Sequence, residues 1–117
     1  APRVPARSRV RGLATIELAS SALRERRYSL VEARPETGRF HQVRRHLKHL
    51  GHPVIGDANY GRSEHNRLLA RELGLARLAL HASRISVELA DPSRSFVVDA
   101  PLPDDLAVLR AKLGLRV

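Results

Sequence analysis

The sequence predicts an α+β domain, with a mixed, mostly antiparallel sheet and helices packed against it, and three observations carry that reading. Two short runs of β-branched and apolar residues, Val10 to Leu18 and Tyr28 to Ala33, are joined by a polar, Arg-rich link from Ser20 to Arg27; this is the pattern of a strand, a connection and a second strand. Phe40, Val43, Leu47 and Leu50 recur at helical spacing ahead of Gly51 and Pro53, two stop signals for a helix. Residues 83–89 alternate Ser83, Ile85, Val87 and Leu89 with polar neighbours, as a half-buried strand does.

In chain order, residues 1–9 (APRVPARSR) mix Pro, Arg and Ser without apolar periodicity and read as a flexible, basic, solvated lead-in to a domain over 10–117. After the two strands, Thr37 is the expected N-cap of a helix from Gly38 to Leu50. Gly51 to Gly61 (GHPVIGDANYG) concentrates Gly, Pro, Asp and Asn and reads as an ordered loop. A helix follows from about Glu64 to Leu73, closed by Gly74. Leu78 to Leu89 reads as one long strand, Asp91-Pro92-Ser93 as a turn and Ser95 to Val98 as the next strand. Asp104 to Leu113 closes the chain as an amphipathic helix with Leu106, Leu109 and Leu113 on one face.

At 117 residues the chain has room for one core and not two, and 43% hydrophobic content is enough to build it without staples. The absence of cysteine removes disulfides, thiolate metal sites and cysteine nucleophiles together. No apolar stretch is long enough for a membrane span or a signal-peptide core, and the expected setting is soluble and cytoplasmic. The first residue is Ala1, which reads as a processed or truncated start. The formal charge of +9 and a pI near 11.4 favour a polyanionic partner. That charge is concentrated in residues 1–45, which carry eleven Arg against four Glu.

On the first helix the apolar residues cluster on one side, His41, Arg45 and Lys48 gather on another, and Arg44 sits at the border. Arg44 is therefore the basic residue expected to be partly buried. Arg39, His41, Gln42, Arg45 and Lys48 lie at the helix start or on its polar side, where free backbone N–H groups and the positive end of the dipole suit a phosphate; for Arg45 and Lys48 a merely solvated face is an equal alternative. His46, His49 and His52 recur every third residue, but His52 falls past the helix end and no acid lies among them, so no metal is expected. His81, between apolar residues, reads as a hydrogen-bonded core histidine. Aromatic residues are too few for a stacking platform of the kind that single-strand binders use.

The stretch RPETGRFHQVRRHLKHLGHPVIGDANYG, Arg34 to Gly61, closely resembles the pseudouridine synthases of the RluA type. Their pattern is matched by Thr37-Gly38-Arg39, His41-Gln42-Val43-Arg44, His46, Gly51-His52-Pro53, Gly56-Asp57 and Tyr60-Gly61. Further on, Arg77-Leu78-Ala79-Leu80-His81-Ala82 resembles a later strand of the family. The wording around the first motif is most similar to the tRNA-modifying branch, and the likeness runs from about Gly12 to Leu115. The family's nucleophile motif, which contains Arg-Leu-Asp, has no counterpart in the 117 residues, so the chain resembles the C-terminal half of such a catalytic domain.

The resemblance implies an isomerase that converts uridine to pseudouridine, with RNA, expected to be tRNA, as substrate. The N–C glycosidic bond breaks, the base turns and a C–C bond forms, with no redox change and no cofactor. An Asp carboxylate acts as nucleophile or general base, and such a group needs a cationic neighbour to stay ionised and oriented. Arg44 matches the family's arginine that pairs with that Asp; the alternatives are a solvated Arg44, or one paired with another acid such as Glu32. By the same resemblance His41 and Gln42 stand at the pocket wall, unless they serve as structural hydrogen bonders, and Leu80 lines the uracil pocket or simply the core. Asp57, in its Gly-Asp setting, reads as an acid that caps or braces the loop. Without the nucleophile the 117 residues alone are expected to be inactive, and to associate with the missing half or with themselves over an uncovered sheet edge. A second reading of the same residues is a non-catalytic basic RNA-binding module derived from the synthase fold.

Overall fold

A computed structural model describes residues 5–17 and 27–115. They form an α+β arrangement of four strands and three helices: β1 (Ser8–Glu17), β2 (Arg27–Pro35), α1 (Gln42–His49), α2 (Ser63–Leu73), β3 (Arg84–Val87), β4 (Phe96–Asp99) and α3 (Asp104–Leu113), with a short 3-10 turn at Pro92–Arg94. The expected link from Ser20 lies outside the described residues up to Arg27, where β2 begins.

The strands make two separate antiparallel pairs rather than one mixed sheet. β1 pairs with β2 from Ser8↔Pro35 to Glu17↔Arg27, with a register shift between Gly12 and Ala14. Arg11 reaches across to Glu32 at 3.3 Å, and Thr15 to Ser29 at 2.9 Å, cross-strand pairs of the kind that set register. β1 starts at Ser8, and just before it Arg7 is tied to the approach to α1, its N–H donating to Thr37 Oγ1 at 2.9 Å.

The expected strand from Leu78 to Leu89 shortens to Arg84–Val87. The reason lies in where the preceding backbone spends its hydrogen bonds: Ala79 N–H donates to the Ile55 carbonyl at 2.8 Å, docking residues 77–79 on the 51–61 loop instead of on a neighbouring strand. β3 then pairs with β4 through Arg84↔Asp99 to Val87↔Phe96. The alternation that predicted a buried face does not bury it here: Ile85 is 57% exposed and Val97 and Val98 are 58% and 52% exposed.

The two later helices follow the sequence closely. α2 ends at Leu73 with Gly74 in the left-handed conformation, φ 74°, the geometry a C-terminal glycine supplies. α3 spans Asp104–Leu113 with Leu106 and Leu109 buried. These two leucines and Leu75 form the core cluster, with Ile55, Leu73, Ala79, Leu102 and Leu113 packed around them. Asp104 and Asp105 sit in the first turn of α3 and Arg110 and Lys112 in the last, the charge order that complements the helix dipole.

α1 is shorter than expected. Helical geometry begins at Gln42, the residue before it is His41 with φ 50°, and Thr37 is not the N-cap. A left-handed His41 turns the chain sharply into the helix, so residues 38–40 cannot join it. Leu47 is buried, but Phe40 and Leu50 are 74% and 58% exposed. Only part of the predicted apolar face is therefore covered by the described residues.

Candidate functional site

The most tightly built polar cluster among the described residues joins α1 to the 51–61 loop. The loop is shaped by two glycines for which a side chain has no room. Gly56 has φ +82°, and a Cβ there would collide with the Arg77 carbonyl; a Cβ on Gly61 would collide with the Asp57 carbonyl. Asn66, reaching back from α2, accepts from Gly56 N–H at 2.8 Å and donates to the Asp57 carbonyl at 3.1 Å. The tight backbone path and these two bonds turn the Asp57 side chain inward.

Asp57 Oδ1 accepts from the N–H groups of Asn59 and Tyr60, both at 3.0 Å, the turn-bracing role its setting predicts. The same carboxylate also receives Arg44. Arg44 Nε donates to Oδ2 and Nη2 to Oδ1, each at 2.8 Å. This is a bidentate, charge-assisted pair, with the Asp57 side chain wholly buried and that of Arg44 18% exposed. The guanidinium holds the Asp57 carboxyl well below its ordinary range, at about 2, with the two loop N–H groups assisting against the opposing effect of burial. The same contact raises Arg44 further above its already high value. The Arg44 Cζ also stands 5.2 Å from the centre of the Tyr60 ring, within cation–π range. The Tyr60 hydroxyl meets His41 Nδ1 at 3.1 Å, and the His41 ring stacks on Phe40 with centroids 3.7 Å apart.

The border position of Arg44 on its helix thus yields a half-hidden guanidinium. Its partner within the chain is neither solvent nor Glu32, which pairs with Arg11 and Arg34; it is Asp57. Sequence reasoning read Asp57 as a brace and Arg44 as a cation awaiting an acid without joining the two. The available signal was that a buried turn carboxylate needs a cation, and that Arg44 is the border residue of the adjoining helix.

Other predicted site residues are placed differently. The Gln42 side chain is buried, and its amide is fully engaged: Oε1 accepts from Thr37 Oγ1 at 2.5 Å and from Arg39 N–H at 3.1 Å, while Nε2 donates to the Arg7 carbonyl and to Ser8 Oγ, both at 2.8 Å. Ser8 Oγ also meets His46 Nδ1 at 2.8 Å, so Gln42, His46 and Ser8 pin the start of β1 to α1. Arg39 is exposed, with Nε donating to the Pro5 carbonyl at 3.1 Å. Arg45 and Lys48 are exposed on the outer face of α1 and make no ion pair with any described residue. Leu80 is half-buried, beside His81, whose Nε2 meets the Ala100 carbonyl at 3.0 Å. His81 is hydrogen-bonded as the sequence predicts, but it is half-buried and lies ahead of β3, not in the core. Among the described residues no group of His, Asp or Glu is arranged to hold a metal ion, and no helix is long and apolar enough to cross a membrane.

His65, to which the sequence reading assigns no structural role, is buried, its Nδ1 2.8 Å from the Tyr28 hydroxyl. The bond ties α2 to β2.

No family model matches the chain. Among curated proteins, tRNA pseudouridine synthase C of Salmonella typhi is 41% identical over 114 residues, covering 96% of this chain and 44% of its own length. The Vibrio cholerae protein of the same name is 39% identical over 106 residues, 89% of this chain and 43% of its own. That of Pasteurella multocida is 56% identical over 59 residues, half of this chain and 24% of its own. The chain spans less than half the length of the relatives it matches. With this degree of identity along nearly its whole length, and with the motif residues Arg44, Asp57 and Tyr60 gathered in one cluster, the chain belongs to the RluA-type pseudouridine synthase family.

Proposed function

We propose that these residues form part of an enzyme that isomerises uridine to pseudouridine in tRNA, in the cytoplasm and without a cofactor, and that Arg44 holds the nucleophilic aspartate. That aspartate belongs to an Arg-Leu-Asp segment absent from the 117 residues. In the reaction the N1–C1′ bond breaks, a C5–C1′ bond forms, the C5 proton leaves and N1 gains one, so the base is isomerised with no net oxidation.

The observation that carries the assignment is the state of the Arg44 guanidinium. Asp57 occupies the edge formed by Nε and Nη2, and Nη1 has no partner among the described residues. A guanidinium has five N–H donors, so the outer edge, one N–H from each Nη, is left as a fork of the shape that grips a second carboxylate. Asp57 is itself buried and held by four donors, which suits a structural anion and not a nucleophile that must reach a sugar carbon. Arg39, His41, Arg45 and Lys48 supply the RNA-facing side, with phosphates as their partners. Gln42 supports that side from below through its bonds to Thr37 and Arg39, and Leu80 contributes apolar wall to the uracil pocket.

The test is tritium release from tRNA carrying 5-tritiated uridine, using the full-length protein that contains this chain. The wild-type protein is expected to release tritium, and Arg44→Ala to abolish turnover while tRNA affinity stays within a few-fold. Binding without release by the wild-type protein would instead establish the non-catalytic RNA-binding module. Release by the 117 residues alone would show that the nucleophile lies among them.

A further inference from the structure

We propose that Asp57 and Tyr60 are positioning residues of this reaction: together they form a seat that fixes the Arg44 guanidinium, so that its free edge is presented to the catalytic carboxylate in one orientation. The inference rests on the role proposed for Arg44 above and goes beyond it by naming what holds that arginine.

An arginine side chain reaches its guanidinium through several rotatable bonds, and a cation that must hold a nucleophile in line gains little unless it is itself held. Here the plane of the group is fixed twice. Asp57 takes one edge with two bonds of 2.8 Å, and the Tyr60 ring lies 5.2 Å from the guanidinium carbon. Asp57 cannot swing, because the Asn59 and Tyr60 N–H groups hold Oδ1 and the side chain has no exposed surface. Tyr60 is held in turn by His41, 3.1 Å from its hydroxyl. The loop therefore places a carboxylate and a ring on two sides of Arg44 from residues only three apart in sequence.

The seat also has an electrostatic consequence. With Asp57 present, the guanidinium charge is shared between two carboxylates. With Asp57 neutral, the whole charge acts on the catalytic one, whose pKa falls.

Asp57→Asn separates a positioning role from a bracing one. Asparagine keeps an Oδ1 that can accept from the Asn59 and Tyr60 N–H groups, so the turn survives, but its amide nitrogen cannot accept from Arg44 Nε. In the full-length protein, single-turnover tritium release by Asp57→Asn is expected to fall by about tenfold to a hundredfold, the scale of a misplaced catalytic group. The tRNA Kd is expected to stay within a few-fold, and the acidic limb of the rate profile to move to lower pH. A wild-type rate and profile in Asp57→Asn, beside an inactive Arg44→Ala, overturns the seat and leaves the role of Arg44 standing. A wild-type rate in Arg44→Ala overturns both. Tyr60→Leu removes the ring but keeps the backbone N–H that Asp57 accepts, and so carries the test if Asp57→Asn does not fold. A reduced rate with unchanged Kd supports the seat, and an unchanged rate overturns it.

Discussion

Tyr28 on β2 and His65 on α2 share a buried hydrogen bond of 2.8 Å, with their rings edge to face at a centroid separation of 5.7 Å. This polar bond fastens the second helix to the first sheet beside the Asp57 loop. Tyr28→Phe keeps the ring packing and removes the hydroxyl, leaving a buried imidazole nitrogen short of a partner. The expected loss is about 1–3 kcal/mol, read as a lower urea midpoint with an unchanged m-value. A midpoint within error of wild type would mean that His65 finds another partner.

Gly56 and Gly51 separate conformational strain from collision. Both have φ +82°, but only at Gly56 would a Cβ strike backbone, that of Arg77. Gly51→Ala is expected to cost about 1–2 kcal/mol, the penalty of a side chain in the left-handed region. Gly56→Ala adds displacement of the segment that docks through the Ala79 to Ile55 bond, and more than about 3 kcal/mol is expected. Equal melting temperatures for the two variants would refute this difference.

How much of this was open to sequence reasoning depended on where each residue's bonds end. α2 and α3 were legible because their limits are local: Gly74 and Gly114 sit just past the last turns, and the leucine spacing is unbroken. The start of α1 was not, because it is set by the left-handed His41 and by Gln42 reaching to Arg7 and Ser8, some 35 residues earlier in the chain. The strand expected from Leu78 lost its first half to a docking contact with Ile55, a distant partner that no periodicity records. In the site, the half-buried Arg44 and the turn-bracing Asp57 were each visible separately. Their union was not, because spacing does not reveal that a loop folds its acid back under a helix.

The exposed cations of α1 should behave differently from Arg44. Arg45 and Lys48 face outward without ion partners among the described residues, so a phosphate contact at either would appear as counterion release. Arg45→Ala and Lys48→Ala are each expected to weaken tRNA binding and to reduce the slope of log Kd against log salt by about 1. Filter binding across a salt series measures both quantities, and an unchanged slope would assign these residues to a solvated face.

The Arg44–Asp57 pair also predicts how the fold responds to acid. Asp57 titrates at about 2 in the folded chain, against an ordinary carboxyl value of about 3.9 when unfolded. A depressed folded value means the unfolded chain binds the proton more tightly, so the stabilisation is fully present above about pH 4 and is lost as pH falls toward 2. The difference corresponds to roughly 2–3 kcal/mol. Urea unfolding of the full-length protein between pH 5 and 2 should show wild type losing this contribution. Asp57→Asn, which has no proton to take up there, should start from lower stability and lose less over the same interval. Parallel curves for the two proteins would mean that the carboxylate does not carry the pair's pH dependence and that the acid response comes from the exposed carboxylates instead.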